Sequence, residues 1–343
     1  MTGVDVHTHL SPVLDRAYTV DGPPGLADPA GLEAHLDAAG LAAAIVSVPP
    51  PYYRQDLTGD DGVKWAAAVN TGLAARIEGR PRLRGLAYLP LHDPAAALAA
   101  YQTIDDGEWV GVVAGAGGRC PSLAEPGYEP LWRALAADGR ALMLHPAQSP
   151  DHRMADFYLH NLLGNPVETA LAAAQLVFGN VLARHPALRV VLVHGGGVLP
   201  ALAGRWSRGV ETARPGLPDQ ELAVRDALRR FWVDGLTHDA EVARAVVEVF
   251  GADKVLLGSD WPFPMGTPDP AAALSACPAL AGAGIAAKAG TANALGAFGW
   301  SGPPAHDETT LTENNPQNPC ASRSMREKCS RPARMWLPRP YPQ

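Results

Sequence analysis

RHPALRVVLVHGGG, residues 184–197, carries the pattern that decides the fold. A helical stretch runs out at His185–Pro186, a short loop follows, and a continuous apolar run begins at Val190. A strand that is apolar at successive positions is buried on both faces, as in a parallel sheet covered by helices. The run then ends on a histidine followed by three glycines, so a titratable side chain stands where the strand gives way to a turn.

The same unit recurs along the chain. Strands are predicted at VDVHTH (4–9), AAIVSV (43–48), RGLAYLP (84–90), VGVVAG (110–115), ALMLHP (141–146), RVVLVHG (189–195), FWVDG (231–235) and KVLLGSD (254–260). Helical patterns lie between them: PAGLEAHLDAAG (29–40), WAAAVNTGLAARIEG (65–79), YEPLWRALAADG (128–139), ETALAAAQLVFGNVLARHP (168–186) and DAEVARAVVEVFGA (239–252). Eight strands alternating with helices predict an α/β fold of the (β/α)8 TIM-barrel type over residues 1–300. A doubly wound sheet needs fewer strands, and the GxGxxG turn it uses after its first strand is absent. From Ser301 the composition changes to Pro, Asn, Ser and Arg without apolar periodicity, and residues 301–343 are expected to form a disordered or loosely attached tail.

Bulk properties narrow the function. A net charge of −7 gives no electrostatic case for nucleic acid. There is no run of eighteen apolar residues to span a membrane, and no basic-then-apolar leader pattern, so a cytoplasmic location is expected. Cys120, Cys277, Cys320 and Cys329 are scattered and never in CxxC spacing, which argues against a disulfide framework or a thiolate zinc site.

Barrel enzymes carry their chemistry at the C-terminal ends of the strands. His7 and His9 close strand one, His145 strand five, His194 strand six and Asp260 strand eight. Taken singly, each has an ordinary explanation: a hydrogen-bonded strand-end histidine, a chance HxH pair, an Asp capping a turn. Together they converge on one mouth. Residues two apart on a strand share a face, so His7 and His9 point inward together and Thr8 points out toward the helices. Asp5 lies one step deeper on that face and reads as a buried hydrogen-bonding group. His7, His9, His145 and Asp260 make a set of three imidazoles and one carboxylate with room for a water. This nitrogen-rich set favours zinc, with manganese or iron as alternatives. Strand four offers no Lys, Glu or Cys to bridge a second ion, so one divalent metal is expected.

In DVHTHLSP (5–12), LMLHP (142–146), residues 161–206, DGLTHDA (234–240) and KVLLGSDWPFPMG (254–266), the chain resembles the amidohydrolase superfamily. More narrowly, it resembles the branch of 2-amino-3-carboxymuconate-6-semialdehyde decarboxylase and related metal-dependent decarboxylases. The resemblance implies that His7, His9, His145 and Asp260 hold the metal. It also implies that His194 is the acid/base beside a metal-activated water, with Asp260 the other catalytic group. Arg205 matches a family arginine that binds the substrate carboxylate and is supplied by the neighbouring subunit of a homodimer. The expected reaction is loss of CO2 from a small unsaturated or aromatic carboxylate; hydrolysis of an amide, ester or lactone needs the same residue types and stays open. The family's second substrate arginine lies in an insertion that is short here, leaving Arg16 and Arg54, the latter in PPPYYRQD (49–56), as candidates. Trp261 is expected to line the pocket, His238 to cap the following helix, and the loop bearing His152 and His160 to cover the site. HGGG also occurs as an esterase oxyanion hole, but the GxSxG elbow such enzymes need is absent. The glycines instead make a tight turn beside His194.

Overall fold

A computed structural model of the chain describes residues 2–300, 302 and 303, apart from 106, 108, 282 and 283. The tail expected from residue 301 onward lies outside the described residues, except for 302 and 303. Eight strands form one parallel sheet in sequence order: β1 (Val4–His9), β2 (Ala43–Ser47), β3 (Leu83–Leu89), β4 (Trp109–Ala116), β5 (Ala141–Pro146), β6 (Val190–Leu192), β7 (Trp232–Asp234) and β8 (Val255–Leu256). The predicted (β/α)8 barrel is the observed fold. It closes through backbone bonds between β1 and the residues following β8: Val6 N–H to Leu257 O (2.8 Å), Asp260 N–H to His7 O (2.8 Å) and His9 N–H to Trp261 O (2.8 Å). Regular pairing in strand eight stops at Leu256, short of the predicted end at Asp260. Beyond it the chain follows β1 by these single bonds, and Asp260 turns out of the strand with φ +59°.

The helices between the strands are α1 (Pro29–Ala38), α2 (Gly59–Ile77), α3 (Pro94–Tyr101), α4 (Glu129–Asp138), α5 (Asn165–Phe178), α6 (Val181–Arg184), α7 (Leu199–Glu211), α8 (Val224–Leu228) and α9 (Ala240–Phe250). After β8 come α10 (Pro270–Ser275), α11 (Pro278–Ala281), α12 (Ile285–Gly290) and α13 (Ala292–Phe298). Three of these helices open with an Asp-Pro pair at 28–29, 93–94 and 269–270. The Asp side chain accepts first-turn N–H groups and the Pro sits where no intrahelical donor is needed. Along α2, Trp65, Val69, Leu73 and Ile77 recur every four residues and bury one stripe against the barrel. The helix starts six residues before the predicted Trp65, because the Asp93 carboxylate that caps α3 also accepts the Gly59 N–H at 2.8 Å.

The predicted helix over 168–186 divides into α5 and α6. Asn180 adopts φ +56°, and its side-chain amide bonds Asp219 O and the Glu221 N–H, so the break is held by tertiary contacts that helical periodicity does not encode. His238 does not cap α9: Asp239 does, accepting from Glu241 N–H and Val242 N–H at 2.9 Å each. No helix among the described residues is long and apolar enough to cross a membrane.

Candidate metal centre

The barrel brings the four predicted ligands together. One donor atom from each of His7, His9, His145 and Asp260 lies within 4.8 Å of every other, and all four residues are buried. His7 and His9 both face inward from β1. Thr8 turns away, and its hydroxyl donates to Ile45 O at 2.9 Å. Asp260 Oδ1 stands 3.1 Å from His9 Nε2 and 3.5 Å from His7 Nε2. Donors bound at about 2.1 Å to a common ion sit about 3–4 Å apart, so these spacings suit one divalent ion.

The second nitrogen of each imidazole has a partner. His7 Nδ1 meets Asp234 Oδ2 at 2.7 Å, His9 Nδ1 meets the Ser47 hydroxyl at 3.0 Å, and His145 Nδ1 meets Pro146 O at 3.1 Å. Fixing Nδ1 in this way leaves Nε2 as the lone-pair nitrogen turned to the centre. His7 Nε2, His9 Nε2 and Asp260 Oδ1 are buried without a hydrogen-bond partner among the described residues. Buried polar groups are seldom left unpaired, and a divalent cation satisfies all three atoms at once.

The charge states agree with this. Burial, together with the neighbouring imidazoles, holds His145 well below the ordinary histidine value, and burial also lowers His9. Burial opposes a charge on His7, but Asp260 and Asp234 outweigh it and raise its pKa. Burial likewise opposes ionisation of Asp260, yet the charge of His7 and the nearby imidazoles of His194 and His9 keep it well below the carboxylate range. Two neutral imidazoles and a carboxylate are ready to bind a cation without first losing a proton.

His194 sits beside this cluster rather than in it. Its ring centroid is 5.1 Å from that of His7 and 5.3 Å from that of His145, and Nε2 is 3.8 Å from Asp260 Oδ2. Strand β6 ends at Leu192, short of the predicted end at 195, so His194 begins a short turn after the strand instead of closing it, with φ +55°. Gly195, Gly196 and Gly197 all have positive φ. A side chain on each would meet Thr237 Cγ2 at 2.8 Å, Phe250 Cζ at 2.8 Å or Pro166 O at 2.4 Å, so the run admits only glycine. Gly258 is a second close approach: a Cβ there would stand 2.8 Å from Asp234 Cβ and 2.9 Å from His7 Cβ.

A cleft of about 880 Å³ opens next to the cluster, within the usual range for a small-molecule site. Its walls come from the loop after β1 (Ala17–Asp21), the loop after β2 (residues 50–56) and the segment after β5, including His152 and His160. Arg54 lines it as expected, but its Nε and a terminal nitrogen already hold Asp56 at 2.7 and 2.6 Å, and its guanidinium lies over Trp65. The fork expected to take a substrate carboxylate is engaged by one from the protein. Arg16 is exposed on a turn at residues 16–18. Trp261 is not in the cleft wall; its ring lies 6.2 Å from that of His35 and packs near Gly25, which is a packing role. Arg205 is exposed on α7, outside the cleft.

Two residues, Asp234 and Arg119, had no role in the sequence reading, and a third, Asp5, acts as it was read. Asp5, expected as a buried hydrogen-bonding group, accepts the His7 and Ser259 N–H groups and so ties β1 to the segment carrying Asp260. Asp234, the last residue of β7, had the same strand-end signal as the ligands but no role. Arg119, in the loop after β4, lines the cleft, is exposed, and has no acceptor for its guanidinium among the described residues.

The family model described as Amidohydrolase matches residues 4–300. The 2-amino-3-carboxymuconate-6-semialdehyde decarboxylase of Dictyostelium discoideum is 33% identical over 211 residues, 60% of this chain and 58% of that protein. The chain thus aligns with less than two thirds of that relative's length. The 6-methylsalicylic acid decarboxylase of Penicillium expansum is 29% identical over 288 residues, 76% of this chain and 85% of that one. Among solved structures, the 5-carboxyvanillate decarboxylase of Novosphingobium aromaticivorans, in complex with manganese and 4-hydroxy-3-methoxy-5-nitrobenzoic acid, has the same fold. It superposes with a TM-score of 0.74 at 20% identity, covering 87% of this chain and 96% of that one.

Proposed function

The chain belongs to the amidohydrolase family, and from that premise we propose that it is a metal-dependent decarboxylase of a small aromatic or unsaturated carboxylate. The observation that carries the reading is the convergence of His7, His9, His145 and Asp260 on one point, with His194 alongside and outside the ligand set. The named activities of the two curated relatives favour decarboxylation over hydrolysis.

Bound among the four ligands, the ion supplies positive charge that stabilises negative charge developing on the substrate. The protein does the rest. His194 delivers a proton to the carbon that bears the carboxylate. The carbon–carboxylate bond breaks, its electron pair restores the π bond that the protonation used, CO2 leaves, and solvent reprotonates His194 through its exposed edge. The donor set favours zinc, while the manganese held by the Novosphingobium protein supports a harder ion in the same position. Elemental analysis of protein purified without added metal tells the two apart. Cys120 and Cys277 are free thiols among the described residues, which supports a cytoplasmic location.

The test is release of CO2 from a panel of hydroxybenzoates and muconate-type acids by the metal-loaded protein. Stoichiometric CO2 with the protonated product is expected. Hydrolysis of amide, ester or lactone substrates without any CO2 release overturns the reading.

The second element of the proposal is a homodimer in which Arg205 reaches the partner's site. Phe157, Tyr158, Leu162, Leu163, Val167 and Leu171 are all exposed. Three of them, at 163, 167 and 171, make a stripe that leads into α5. The end of α5 packs on α7 next to Arg205, through Phe178 against Trp206 at 5.1 Å. An apolar stripe of this size on a soluble protein marks a contact surface, and a second copy buries it symmetrically. Arginine suits the role because its planar fork pairs with a carboxylate in two places. Arg205→Ala and His194→Ala, each inactive alone, are expected to recover about a quarter of wild-type activity when re-paired, since half the dimers are hybrids with one intact site of two. No recovery on mixing, or a monomer in sedimentation, removes the shared-site reading.

A further inference from the structure

Seven buried side-chain polar atoms have no hydrogen-bond partner among the described residues. Three belong to the metal ligands. Two more, Asp5 Oδ2 and His35 Nε2, face each other at 3.6 Å. The remaining two are the Tyr53 hydroxyl and His160 Nδ1, and both residues line the cleft beside the metal centre.

Tyr53 is the better placed. It follows a turn at Pro50–Tyr52 and is 4% exposed. Its ring lies parallel to that of Tyr88 at 5.5 Å and edge-on to the ligand His145 at 6.0 Å. Two rings and the close approach of Gly115 to Tyr53 Cδ2 fix its orientation, so the hydroxyl cannot swing to another partner. A phenol is a neutral O–H donor around neutral pH. A buried phenol with no acceptor costs stability, and native proteins retain such groups where a ligand supplies the partner.

We propose that Tyr53 is a substrate-contacting residue whose hydroxyl, held rigid beside His145 and left without an acceptor, donates a hydrogen bond to an oxygen of the bound carboxylate. The donor is pre-oriented, so little conformational freedom is lost when the ligand arrives. The inference rests on the carboxylate-binding reading of the site. It goes beyond it by naming the protein atom that recognises the ligand's oxygen from within the same subunit.

The test compares wild-type protein and Tyr53→Phe, both loaded with manganese, by calorimetric titration with 2-hydroxybenzoate, by metal content and by thermal melting. The expected result has three parts: affinity about tenfold or more weaker in Tyr53→Phe, metal content unchanged, and a Tm equal to or above wild type, since the variant loses an unpaired buried polar atom. A merely structural hydroxyl does the opposite, lowering Tm and leaving affinity intact, and that result overturns the inference. Loss of manganese from Tyr53→Phe also overturns it, by making Tyr53 a support of the ligands. Equal affinity in the two proteins overturns the inference alone, whereas a wild-type protein that does not bind the probe overturns the carboxylate reading together with it.

Discussion

His194→Ala is expected to lower turnover by about 10²- to 10⁴-fold, the usual contribution of a positioned acid/base, while the protein keeps its ion. The two halves of this result come from separate features. His194 stands outside the four-ligand cluster, so its removal leaves three imidazoles and a carboxylate in place. Its Nε2 nonetheless reaches to 3.8 Å from Asp260 Oδ2, and its side chain is 21% exposed where the ligands are buried. A proton donor needs contact with both the reacting centre and solvent, and His194 alone among the five strand-end residues has both. Its backbone adds to the case. A non-glycine residue at φ +55°, followed by three glycines also at positive φ, is held in a sparsely populated conformation that local sequence preference does not supply. The measurement is steady-state turnover beside metal content for the same preparation. A variant that turns over normally moves the acid/base role elsewhere, and a variant that loses its ion makes His194 a fifth ligand.

Much of the centre was legible because barrel geometry turns a linear pattern into a location. The C-terminal end of each parallel strand arrives at the same rim, so the position of His145 or Asp260 within its strand was enough to place it. The alternation of a strand sufficed to put His7 and His9 on one face and Thr8 on the other. What was not legible depends on side-chain partnership. Arg54 had the right residue type near the right rim, but whether its fork faces a substrate or Asp56 is decided by a loop that has no period. Trp261 follows Asp260 directly, yet Asp260 leaves the strand at positive φ and the next ring is sent toward His35 instead of the cleft. The break at Asn180 and the early start of α2 have the same origin, since in each a polar side chain or carboxylate from a distant segment sets the helix end. Local patterns describe elements; these boundaries are set between elements.

Asp234→Asn is expected to show the reverse profile of His194→Ala: weaker metal binding by about 10- to 100-fold, with turnover restored by excess ion. Asp234 is fully buried at the end of β7, and both carboxylate oxygens are in use. Oδ2 lies 2.7 Å from His7 Nδ1, while Oδ1 accepts from Gly195 N–H at 2.8 Å and from Leu236 N–H at 3.2 Å. Burial opposes its charge, yet the hydrogen bond and the charge of His7 keep it ionised below the ordinary carboxylate value. An ionised carboxylate can accept on both sides at once. It therefore holds His7 in the tautomer that turns a lone pair to the ion, and with the same group anchors the turn that presents His194. An amide has one acceptor and one donor end. Whichever way it is turned, its NH2 faces either the Nδ1 proton of His7 or the N–H groups of Gly195 and Leu236, so one buried donor or two lose their partner, at a cost of about 1–3 kcal/mol each. If the amide keeps its oxygen toward His7, the turn loosens and turnover falls at saturating metal; if it keeps it toward Gly195, the ion is released first. Metal titration followed by turnover at saturating ion separates these cases. A variant that binds metal as tightly as wild type and turns over normally would mean that neither the His7 tautomer nor the glycine turn depends on the Asp234 carboxylate.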